Sequence, residues 1–236
     1  MHHHAISTLP NLIQSVYCQS VMGTSPEYQR LIRELHDREN SFGAGTHVLT
    51  VAQLIKKLNI RSVTDYGAGK MRLAEVLRKE FALEFDYFPF DPAFPEYGSA
   101  KTAELVCCIE VLEHVEPDFI DSVIEELAQI TIKWGFFTVS CGESSKFLAD
   151  GRNAHILQRP ISWWLTKLSS HFEVQWLNKT GQNSFAVVVT RSDNEASSLS
   201  TLEIYQRDSI VRHIESFMSS LSLEVYRRIR RGHWRP

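Results

Sequence analysis

Nowhere in the 236 residues is there an unbroken run of about 18 apolar side chains, so no membrane-spanning helix is expected. The amino terminus has no charged segment leading into an apolar stretch and a small-residue cleavage site, and the expected location is the cytoplasm. Cysteine is scarce. Cys18, Cys107, Cys108 and Cys141 form no CxxC pair, and they read as reduced packing residues. Cys107 and Cys108 sit side by side in an apolar run, where a strand would point them to opposite faces. A large excess of one charge is missing too: the net charge is −3, which gives no global electrostatic reason to bind nucleic acid or an anionic membrane. The exception is local. Arg227, Arg228, Arg230, Arg231 and Arg235 crowd the carboxyl end, as a solvated tail or as a contact for phosphate or an acidic partner. Internal repeats and low-complexity tracts are absent. His2, His3 and His4 enter no site argument, because such a run also arises as a tag remnant.

What remains is the composition of an ordinary globular protein, 43% hydrophobic and 22% charged, long enough to bury one substantial core. Residues 26–39 open on Pro26 and carry Leu31, Ile32 and Leu35 at helical spacing; Ser41–Thr46 (SFGAGT) breaks that helix. Val48–Leu58 predicts a second amphipathic helix, with Leu49, Ala52, Leu54, Ile55 and Leu58 inward and Lys56 and Lys57 outward. The pattern then alternates. Strands are expected at Ser62–Tyr66, Phe85–Phe90, Leu105–Val111, Trp134–Ser140, Phe172–Leu177 and Ser184–Thr190, with helices at Arg72–Glu80, Phe119–Ile132 and Ser162–Ser169. Such alternation implies βαβ units, a mainly parallel sheet and helices on both faces. The short turn near Thr180–Gly181 makes the last two strands an antiparallel hairpin, since a parallel return needs about a dozen residues. The domain plan is a helical segment over 1–45, an α/β domain over 46–191 and a helical tail over 192–236 that docks on the domain or on a second copy. That tail carries Leu202, Tyr205, Ile210, Ile214, Phe217, Met218 and Leu221 at helical intervals.

The segment VTDYGAGKMR (63–72) is a strand end, a glycine turn and a helix start. Gly67 and Gly69 allow the backbone to turn tightly and approach a ligand. A dinucleotide site would want a third glycine where Arg72 stands. S-adenosylmethionine makes other demands, having a sulfonium, an ammonium, a carboxylate and a ribose diol but no phosphate. Asp65 suits the ammonium end. Asp91, closing the second strand in FPFDP, suits the ribose hydroxyls at the usual interval of about 20 residues past the glycine turn.

DYGAGKMRLAEVL, FDPAF and IEVLEHVEP resemble the first motif, acidic loop and fourth motif of class I S-adenosylmethionine-dependent methyltransferases, over roughly residues 46–190. The resemblance implies a Rossmann-like sheet with a carboxyl-terminal antiparallel hairpin, donor contacts from Asp65, Gly67, Gly69, Asp91 and Glu110, and transfer of a methyl group. Only about thirteen residues separate Asp91 from Leu105, so the usual third strand and its helix are missing or vestigial. Glu110, Glu113 and His114 stand at i, i+3 and i+4 beyond the next strand, where open parallel sheets bind ligands, and Asp150–His155 (DGRNAH) brings a second histidine. E-x-x-E-H with a later histidine resembles metal-dependent 2′-O-methyltransferases of small-RNA 3′ ends. VLEH, DGRNAH and P-x-x-W-W together resemble a bacterial and phage group that shares no single substrate. Three readings stay open for Glu110, Glu113, His114 and His155: a Mg²⁺, Mn²⁺ or Zn²⁺ site, a metal-free acceptor wall with His155 or His114 as general base and Glu113 beside them, or purely structural capping. His36, Phe42 and Thr46, just upstream of the fold, are candidates to close over the donor, with a plain helix-surface residue the alternative reading of His36. Trp163 and Trp164 serve as core, pocket wall or stacking platform. The expected reaction moves a methyl group to oxygen or nitrogen of a small polar metabolite in a biosynthetic pathway. RNA-end methylation, and a non-catalytic ligand-binding scaffold, are the alternatives.

Overall fold

The computed structural model of the chain describes residues 23–38 and 47–192. Cys18, Phe42, Thr46, the linker beyond Ser192 and the arginine-rich tail, with the dimer contact expected through it, lie outside the described residues.

Helix α1 spans Pro26–Arg38 and α2 spans Val48–Leu58. The α2 helix stops where Asn59 turns left-handed (φ 50°) and returns its N–H to the Ile55 carbonyl, a turn that asparagine tolerates. The sheet has six strands, β1 Ser62–Tyr66, β2 Asp86–Phe90, β3 Ala103–Ile109, β4 Thr131–Ser140, β5 Phe172–Gly181 and β6 Ser184–Arg191, in the order β2-β1-β3-β4-β6-β5. Strands β1 to β4 run parallel; β6 runs antiparallel to both β4 and β5. The crossover helices are α3 (Arg72–Phe81), α4 (Ile120–Ile130) and α5 (Ile161–Leu168). Between β2 and β3 there is only a single 3₁₀ turn at Pro95–Tyr97, as the short spacing predicts.

The two cysteines of β3 show how the core divides. Cys108 packs with Val106, Ile124, Leu127 and Trp164 under α4 and α5, while Cys107 packs with Leu105, Leu54, Leu77 and Phe136 under α2 and α3. Each fully buried aliphatic side chain contributes about 1.5–3 kcal/mol by leaving water. The two layers therefore hold the strand ends, and the loops on them, as one body. Among the described residues no helix is long and apolar enough to cross a membrane.

Several boundaries differ from expectation, and three places show the local cause. Strand β3 ends at Ile109 because Glu110 is left-handed (φ 56°), with its N–H shared between the carbonyl and the hydroxyl of Thr138 at 3.1 and 3.0 Å. Helix α4 stops at Ile130 and β4 begins at the next residue, with the Thr131 hydroxyl donating to the Leu127 carbonyl at 2.6 Å. Strand β5 continues through Gly181, leaving Gln182 and Asn183 as the turn.

Candidate functional site

The carboxyl ends of β1, β2 and β3 open into a cavity of about 340 Å³ that reaches from the glycine turn to His155. Its donor half rests on two carboxylates. Asp91 accepts the Gly69 N–H and the Ala93 N–H, both at 2.8 Å, and each oxygen keeps a further lone pair for a hydroxyl. Asp65 accepts the Tyr87 hydroxyl at 2.6 Å and is only 5% exposed; burial, followed by the neighbouring Asp91 charge, pushes its carboxyl up to about 7 against the downward pull of Tyr87.

The glycine turn is built differently from the simple expectation. The N–H groups of Gly67 and Ala68 both go to the Phe90 carbonyl, and that of Gly69 goes to Asp91, so all three amides are used inside the protein. The glycines are needed for approach. A Cβ at Gly67 (φ 85°) would collide with Val111, and one at Gly69 (φ 48°) would sit 3.1 Å from the His36 ring. His36 thus reaches the donor half from α1, where burial, followed by the Lys70 and Arg33 charges, lowers its pKa to about 4.

Helix α1 forms one wall through three ties. Glu116 accepts the Thr24 hydroxyl at 2.9 Å, the Ser25 N–H at 2.6 Å and the Ser25 hydroxyl at 2.9 Å. Arg33 donates to the Ala93 carbonyl at 3.0 Å and lies 4.2 Å over the Phe94 ring. Arg38 donates to the Phe147 carbonyl at 3.4 Å.

In the acceptor half the structure brings together Glu113, His114 and His155, one ligand atom from each lying within 4.8 Å of the others. His114 Nδ1 meets the Ala154 carbonyl and His155 Nδ1 meets the Gly142 carbonyl, both at 2.7 Å. A carbonyl only accepts, so Nδ1 carries a proton in each ring and Nε2 is the nitrogen left to ligate, the arrangement typical of metal-ligating imidazoles. Glu113 is fully buried behind them. Its Oε1 accepts the Ser140 N–H at 2.8 Å, and its Oε2 is buried with no hydrogen-bond partner among the described residues. Burial, followed by the Glu110 charge, pushes the Glu113 carboxyl up to about 8, while burial, followed by the His155 charge, lowers His114 to about 4. Two imidazoles oriented by backbone carbonyls and a carboxyl oxygen without a partner among the described residues fit a divalent cation. Glu110 lines the same cavity but stands outside the three-residue cluster; its Oε1 is 3.9 Å from Nε2 of His47, which burial holds near 4 and therefore neutral at pH 7.

Sequence reasoning did not single out His47, Tyr87, Tyr97 or Lys146. Tyr97 donates from its hydroxyl to the Gly69 carbonyl at 2.9 Å, and Tyr87 shares the Asp65 face of the β1–β2 ladder; neither relation leaves a local sequence pattern. Trp164 is fully buried, and Trp163 meets it edge-on, with both outside the cavity lining.

No protein-family model matches the chain. A solved 1,6-didemethyltoxoflavin-N1-methyltransferase of Burkholderia thailandensis, with bound 1,6-didemethyltoxoflavin and S-adenosylhomocysteine, superposes at a TM-score of 0.52 and 14% identity, covering 80% of this chain and 94% of that one. The chain shares the Rossmann-like fold of that structure. In this fold the Asp65–Asp91 half lies at the strand ends flanking the glycine turn. Among curated proteins, the DNA ligase of Clostridium perfringens (strain SM101 / Type A) is 24% identical over 225 residues, covering 89% of this chain. The chain spans 31% of the length of that relative.

Proposed function

We propose that this protein is an S-adenosylmethionine-dependent methyltransferase that methylates a hydroxyl oxygen of a small polar metabolite, with a divalent cation held by Glu113, His114 and His155. The observation that carries the reading is the single cavity joining the Asp65–Asp91 pair to the two imidazoles. Asp91 takes the ribose hydroxyls of the donor and Asp65 faces its ammonium. The methyl carbon leaves sulfur, whose bonding pair stays behind in S-adenosylhomocysteine, and bonds to the acceptor oxygen; the hydroxyl proton goes to solvent. Positioning and exclusion of water supply most of the rate. A bound Mg²⁺, Mn²⁺ or Zn²⁺ supplies Lewis acidity that lowers the proton affinity of the acceptor oxygen. Glu113, His114 and His155 would hold it, and the Ala154 and Gly142 carbonyls fix the two rings.

Titration of Mn²⁺ into protein saturated with S-adenosylhomocysteine tests the cation site. One saturable site is expected, with His155→Ala and Glu113→Gln each weakening it by about tenfold or more. Equal Mn²⁺ affinity in wild type and His155→Ala would remove the metal from the mechanism.

A further inference from the structure

One short hairpin sets both imidazoles of the acceptor half. Residues 144–155 double back on themselves with an antiparallel bridge between Phe147 and Asn153; the Lys146 carbonyl accepts the Ala154 N–H at 3.0 Å and the Arg152 carbonyl accepts the Leu148 N–H at 2.8 Å. The last two residues serve the two rings in turn. The Ala154 carbonyl accepts from Nδ1 of His114, and the next residue is His155 itself, whose Nδ1 donates to the Gly142 carbonyl, both at 2.7 Å. The rings stand edge to face with centroids 4.9 Å apart. A shift of residues 154 and 155 therefore disturbs both rings at once.

The Asn153 side chain holds that pair in register. Its Oδ1 accepts the Ser144 N–H at 3.0 Å and the His155 N–H at 2.9 Å, and its Nδ2 donates to the Ser144 carbonyl at 2.8 Å. Ser144 stands at the opposite end of the hairpin, so one amide ties the two ends together. The set suits an amide, because a carboxylate would accept the same two N–H groups but turn its second oxygen on the Ser144 carbonyl. Other contacts seat the hairpin as a body. Leu148 and Ala154 pack with Tyr28, Leu31 and Leu35 of α1, and near the tip Arg152 pairs with Asp150 at 2.6 Å. The Asn153 amide, in contrast, bonds the His155 backbone directly.

We propose that Asn153 is a positioning residue, holding the Ala154 carbonyl and the His155 ring in the register that leaves both Nε2 atoms to one cation. The proposal rests on the reading of Glu113, His114 and His155 as the acceptor-side cation site, and it adds the side chain that keeps the two rings in place.

The test compares wild type, Asn153→Ala and Arg152→Ala, each as the full chain saturated with S-adenosylhomocysteine. In metal-free protein at pH 8, nitrogen NMR of labelled histidine is expected to show His114 and His155 each as a single Nδ1–H tautomer in wild type and as mixtures with the Nε2–H tautomer in Asn153→Ala. Mn²⁺ affinity is expected to fall by about tenfold or more in Asn153→Ala. Arg152→Ala loosens the hairpin tip but leaves the three Asn153 bonds, and it is expected to match wild type in both measurements. Unchanged tautomers in Asn153→Ala, or mixed tautomers already in wild type, overturn the proposal. So does an equal change in Arg152→Ala, or loss of S-adenosylhomocysteine binding in Asn153→Ala, since either makes stability of the fold the cause. Wild type that shows the two tautomers but binds no Mn²⁺ overturns the cation reading instead, and the tautomers still decide the role of Asn153.

Discussion

Asp65 lies almost out of water with one side-chain partner, the Tyr87 hydroxyl, and its carboxyl titrates near 7 instead of 3.8. Between those values the folded chain holds a proton that the unfolded chain has released, so this residue's contribution to stability falls as pH rises from about 4 to about 7. Asp91, also raised by burial, acts in the same direction. Asp65→Asn keeps an acceptor for Tyr87 and removes the titration. Its stability relative to wild type, from chemical denaturation without ligand, should therefore rise between pH 5 and pH 8 by on the order of a few kcal/mol; a difference flat with pH contradicts this. The donor's ammonium would draw that proton off, so S-adenosylhomocysteine should bind wild type more tightly at pH 8 than at pH 6, and Asp65→Asn equally at both. The sequence made Asp65 legible as an acid before a glycine turn. Its Tyr87 partner was not, because that contact depends on strand register.

At the scale of elements, α1 was legible from Pro26 and its apolar spacing, but its seat was not. The seat depends on Glu116, some ninety positions along the chain, which reads in sequence only as part of the VLEHVEP turn. Three bonds to one carboxylate hold residues 24 and 25, and Glu116→Ala should cost roughly 1–3 kcal/mol. Hydrogen exchange over 26–38 should speed by about tenfold or more while the sheet stays protected; unchanged exchange there would show that Arg33 and Arg38 suffice. The i, i+3, i+4 spacing of Glu110, Glu113 and His114 was legible too, but its realisation depends on the left-handed Glu110 and the 3₁₀ turn Leu112–His114. That turn sends Glu113 into the interior and leaves Glu110 at the cavity wall. The α4–β4 junction was unreadable because no glycine, proline or polar cluster marks it; Thr131 itself closes the helix.

Across the whole molecule, alternating strand and helix patterns were enough to predict the sheet class, the hairpin and the missing third strand, because each needs only local periodicity and segment length. The two core layers then determine where the loops converge. Trp164 is fully buried under the layer that supports β3 and β4, and among the described residues its indole N–H has no partner. Trp164→Ala should cost about 3–5 kcal/mol, and Trp163→Ala clearly less, by thermal or urea denaturation; equal losses would contradict the assignment of Trp164 to core. The central claim is that this frame presents Asp65 and Asp91 to an adenosyl donor. Calorimetric titration of the purified chain with S-adenosylhomocysteine tests it most directly. A single site of about micromolar affinity or tighter, weakened by about tenfold or more in Asp91→Asn, is the predicted result. A wild-type protein that takes up no S-adenosylhomocysteine would contradict it.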